Sequence, residues 1–140
     1  MTHKNLNSIC DIPGIRVGHA QNRHAKTGCT VIIPENGAIA GVDIRGSAPG
    51  TREIEAIKLV RLVPTVDAVL FAGGSAFGLD AAGGVQQFLE ERKIGFDVGV
   101  THRSSRLCPR TVSIFKVWLS INRARPCIHS ILLREICRRM

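Results

Sequence analysis

The residues best placed to do chemistry lie in one glycine-rich turn, Gly73-Gly74-Ser75-Ala76-Phe77-Gly78. It falls between an apolar run and a helix-patterned segment. Backbone N–H groups at such a helix start can hold an anion or an oxyanion. Ser75 suits either that role or the commoner one, a plain N-cap. No Gly-Lys-Ser/Thr follows, so this is not a phosphate-binding P-loop. The third glycine is misplaced for a dinucleotide fingerprint. A nucleophile elbow would need glycine where Phe77 stands.

Histidine and cysteine offer less. His19 and His24 lie near Asp11 in sequence and are candidates to partner a nucleophile, although solvent-facing loop histidines are commoner. No His pair has metal-binding spacing, so no metal site is expected. The five cysteines, Cys10, Cys29, Cys108, Cys127 and Cys137, are odd in number and show no C-x-x-C spacing. Buried or free thiols are expected, rather than a disulfide scaffold or a structural zinc site.

The elements around the turn follow from apolar spacing. Residues 28–34 are β-branched and bounded by Gly28 and Pro34, which predicts a strand. Asn36-Gly37 predicts a hairpin, with residues 38–44 as the antiparallel partner. Pro13-Gly14 marks a turn before a short alternating run at residues 15–17, and residues 21–27 read as a polar loop. Helical spacing predicts a helix over residues 52–62, ended by Pro64. Residues 66–72 read as a buried strand containing Asp67. Leu79, Ala82, Val85, Phe88 and Leu89 form one face of a helix over residues 76–92. Gly83-Gly84 inside it costs about 1–2 kcal/mol against Ala-Ala, so close backbone packing is the expected reason for the pair. Residues 94–100 read as a further strand. Hairpin, helix, strand, helix, strand make an α+β layered domain.

Charge divides the chain in two. Residues 1–100 carry ten Lys/Arg and ten Asp/Glu; residues 101–140 carry nine Lys/Arg against Glu135 alone, which gives the whole net charge of +8. All fourteen glycines fall in the first hundred residues, whereas Trp118 and three cysteines lie beyond them. Residues 101–140 therefore read as a separate, irregular basic tail with weak strand or helix signals such as residues 112–119. The abrupt change of composition suggests a shifted reading frame. The tail fits no nucleic-acid-binding signature, so no specific nucleic-acid partner is expected. No apolar run is long enough to span a membrane, and residues 1–10 lack a signal-peptide core, so a cytoplasmic protein is expected.

Five motifs occur in order: Asp11-Ile-Pro-Gly-Ile-Arg-Val-Gly-His19, Thr27-Gly-Cys-Thr30, Gly41-Val-Asp-Ile-Arg-Gly46, Ala48-Pro-Gly-Thr-Arg-Glu53 and Gly73-Gly-Ser-Ala-Phe-Gly-Leu-Asp-Ala-Ala82. With Leu89-Glu-Glu-Arg and Gly95-Phe they resemble the N-terminal part of the self-processing L-aminopeptidase/D-esterase (DmpA-like) peptidase family. The resemblance covers residues 1–100. It implies part of a four-layer αββα sandwich, and homo-oligomers. It implies hydrolysis of short peptides, amides or esters that have a free amino end, without metal or organic cofactor. The nucleophile of that family is a serine freed by self-cleavage well downstream, so no catalytic residue is assigned in this chain. Residues 73–78 are expected to contribute to a pocket wall. This chain by itself is expected to be inactive. The alternative is a small binding or regulatory module whose basic tail engages an acidic partner or nucleic acid.

Overall fold

The computed structural model describes residues 7–47, 49–58, 65–97, 107–108 and 111–115. The described residues begin with a single 3-10 turn, Ile9–Asp11, closed at its start by a capping box and at its end by Ile12 N donating to Ile9 O. Ser8 Oγ accepts from Cys10 N, and Asp11 Oδ2 accepts from Ser8 N. Strand β1 (Ile15–Asn22) and strand β2 (Thr27–Pro34) then form an antiparallel hairpin, with His19 opposite Thr30. The residues predicted as a long polar loop thus contribute the end of β1 and the start of β2. Only four of them turn. Asn22 Oδ1 accepts from Ala25 N at 3.0 Å, and Lys26 takes a left-handed φ of 48°.

The turn predicted at Asn36-Gly37 forms, but the hairpin predicted across it does not. Gly37 has φ 70° and donates to Pro34 O at 3.1 Å. The residues after it, strand β3 (Ala38–Ile39), pair instead with strand β5 (Thr65–Val66) in a separate two-stranded sheet. The reason is occupancy. Strand β2 already has β1 on one edge and strand β6 (Ala68–Ala72) on the other, so no edge is left for residues 38–44.

The buried strand predicted at residues 66–72 is present as β5 and β6, interrupted at the buried Asp67. Strand β4 (Thr51–Arg52) leads into a 3-10 helix, Ile54–Ile57, where a longer helix was predicted. Glu53 enters it with a left-handed φ of 61°, and Lys58 leaves it extended. Residues 59–62 of that prediction lie outside the described residues. The helix predicted at 76–92 is split into α1 (Ser75–Gly78) and α2 (Ala81–Glu91). Of the strand predicted at 94–100, β7 (Phe96–Asp97) is seen; Ile94 and Gly95 are not part of it, and residues 98–100 lie outside the described residues.

The tail is not irregular throughout. Strand β8 (Leu107–Cys108) pairs with β7, and strand β9 (Thr111–Phe115) enters the main sheet, whose order is β1-β2-β6-β9-β4. Strand β9 runs parallel to β6 and antiparallel to β4. Adjacent parallel strands need a long crossover, and α1 and α2 lie within the one between β6 and β9. The β-rich run beginning at Val112 was the visible signal; pairing on both sides turns it into a strand. The rest of the tail lies outside the described residues.

Helix α2 covers one face of the sheet. Its Ala82, Val85, Phe88 and Leu89 pack with Cys29, Val31, Ile33, Ala68, Leu70 and Ala72, and Val31, Leu70 and Leu89 are fully buried. Gly84 is buried in the same helix. The side chains that alternate with these, Val17, Ile32, Val69 and Phe71, belong to the opposite face, and Phe71 is 43% exposed. Ile54 and Val66 form a second, smaller cluster, against which Ala40, Ile57 and Val69 pack. The architecture is mixed α+β.

Candidate functional site

Residues 73–78 leave the end of β6 in a tight reversal. Gly73 N donates to Gly28 O at 2.8 Å, which ties the turn to the start of β2. A Cβ on Gly73 would stand 2.6 Å from Thr27 Oγ1. One on Gly78 would collide with the carbonyl oxygen of Gly73. Gly78 is therefore required by close backbone approach, whereas at Gly73 the obstacle is the Thr27 side chain. Thr27 Oγ1, in the same corner, is buried with no hydrogen-bond partner among the described residues.

Ser75 is not the N-cap that the commoner reading of this turn predicts. Gly74, at φ 91°, holds the N-cap position of α1, and no side chain caps the helix. Ser75 itself has φ 60°, a left-handed conformation that a residue with a Cβ seldom adopts. Ser75, Ala76 and Phe77 are exposed, Phe77 to 60%. The turn thus presents three solvent-facing side chains on a backbone packed too tightly for side chains at Gly73 and Gly78.

The structure joins this turn to a second motif. Arg52, half-buried in β4, donates from Nη1 to Leu79 O at 3.5 Å, at the break between α1 and α2. Its neighbour Glu53 is another left-handed residue. Sequence spacing gave no sign of this contact, because the two motifs are separated by the whole of β5 and β6.

The histidines do not assemble with Asp11. His19 Nδ1 lies 2.9 Å from Thr30 Oγ1 across the β1–β2 ladder, His24 is exposed in the connecting turn, and Asp11 is engaged in the capping box. Cys10 and Cys29 are free thiols; burial pushes the Cys29 thiol up to about 11. Among the described residues, no group of three His, Cys, Asp or Glu side chains is placed to hold a metal ion. No described helix is long and apolar enough to cross a membrane.

Comparison with known proteins places this geometry. A family model described as Peptidase family S58 matches residues 7–112, which include the glycine-rich turn, Arg52 and the first part of β9. An uncharacterized aminopeptidase of Mycobacterium tuberculosis is 47% identical over 105 residues, covering 68% of this chain and 30% of that protein. One from Mycobacterium leprae is 45% identical over 98 residues, covering 64% of this chain and 27% of its own length. A 6-aminohexanoate-oligomer endohydrolase of Kocuria sp. strain KY2 is 39% identical over 82 residues, 59% of this chain and 21% of that enzyme. The chain spans less than a third of the length of these curated relatives. A match over residues 7–112, most of the chain, shows that the protein belongs to peptidase family S58.

Proposed function

We propose that this chain forms the N-terminal part of an aminopeptidase or amidohydrolase fold of family S58 and has no hydrolytic activity by itself. The observation that carries the reading is the two-faced sheet. One face is closed by α2, while the other keeps Phe71 43% exposed next to the His19–Thr30 pair, with Val17 and Ile32 further along it. A sheet face with exposed apolar residues of this kind suits packing against a second sheet at about 10 Å. That would make α2 and the main sheet two of four layers in an αββα sandwich, with the other two supplied by the remaining length of the family.

The reaction would be hydrolysis of short peptides, amides or esters bearing a free amino end. Its nucleophile would be a serine freed downstream, whose own α-amine serves as base. An α-amino group is suited to that because its ordinary pKa is about 7.7–8.0. Residues 73–78 would contribute to the pocket wall, with Arg52 steadying the turn from behind.

Incubation of the purified chain with aminoacyl amides and esters tests the reading. No turnover above buffer is expected. Turnover that survives repurification and scales with protein would overturn the claim of inactivity. Co-expression with the remaining two thirds of a relative should restore hydrolysis, and failure of that soluble pair to associate would overturn the sandwich.

A further inference from the structure

We draw no further inference here: the strongest candidate, the half-exposed face of the five-stranded sheet around Val17, Ile32 and Phe71, belongs to the layer packing already proposed, and nothing in the structure shows what else would cover it.

Discussion

Gly78 lies so close to the carbonyl oxygen of Gly73 that no side-chain carbon fits between them. The obstacle is backbone, which cannot swing aside as a flexible side chain would. Gly78→Ala should therefore destabilise the chain by about 1–3 kcal/mol, the range of an overpacked core. Urea unfolding followed by circular dichroism reads this as a lower midpoint at unchanged slope. An unchanged midpoint would show that the turn is looser than described.

Thr27 gives the opposite sign. Its hydroxyl is buried and has no hydrogen-bond partner among the described residues, so it brings a desolvation penalty without return. Thr27→Val keeps the shape and the β-branching. It should leave stability unchanged or raise it by up to about 1 kcal/mol. A clear loss in the melting temperature would mean that the hydroxyl bonds to something, such as an ordered water.

Leu70 and Phe71 are neighbours on β6 that belong to opposite faces. Leu70 is fully buried under α2, and Leu70→Ala should cost about 2–5 kcal/mol. Phe71→Ser should cost this chain only about 0.5–1 kcal/mol and improve its solubility. If the sandwich reading holds, the same Phe71→Ser change should sharply weaken association with the completing half of a relative. Comparable losses from both substitutions in the isolated chain would show that the second face is already covered.

The Cys29 thiol, held up at about 11 by burial, favours its neutral form in the folded state. Stability from this group is fully present below the ordinary thiol value of 9.0 and is lost as pH rises from there toward about 11. Iodoacetamide at pH 8, followed by peptide mass mapping, should label the exposed Cys10 quickly and Cys29 only on unfolding. Equal labelling rates would contradict the burial.

Strand β9 has neighbours on both sides, so a proline at residue 113 should be far more damaging than one on an edge strand. Ser113→Pro is expected to abolish the cooperative unfolding transition. Retention of a sharp transition would show that β9 contributes little to the sheet.

Local signals were read well where one sheet face or one helix face decides burial. Strand β2 follows from a β-branched run bounded by Gly28 and Pro34, β6 from a short apolar run, and the apolar side of α2 from a 3.6-residue period that matches the face that packs. Pairing was not legible. Asn36-Gly37 correctly marked a turn, yet which strand β2 accepts depends on competition among distant segments for its two edges. The same limit hid the pairing of β9, although its apolar run at residues 112–115 was visible. At the candidate site, the glycine motif marked a turn, and a turn does lie between β6 and α1. The left-handed φ of Ser75 and the reach of Arg52 to Leu79 depend on packing that no spacing rule encodes.

The place of β9 also sets an order of events during synthesis. Thr51 finds its sheet partner only when Ile114 arrives, so β4 must wait while all the intervening chain is made. Strands β1, β2 and β6 can associate sooner, since their pairings are complete by Ala72. Until the later segment emerges from the ribosome, the nascent sheet carries a bare edge along β6. Contacts between distant residues form slowly, and an open edge invites pairing with other chains. Chaperone capture during translation would therefore be concentrated in the interval between those two points.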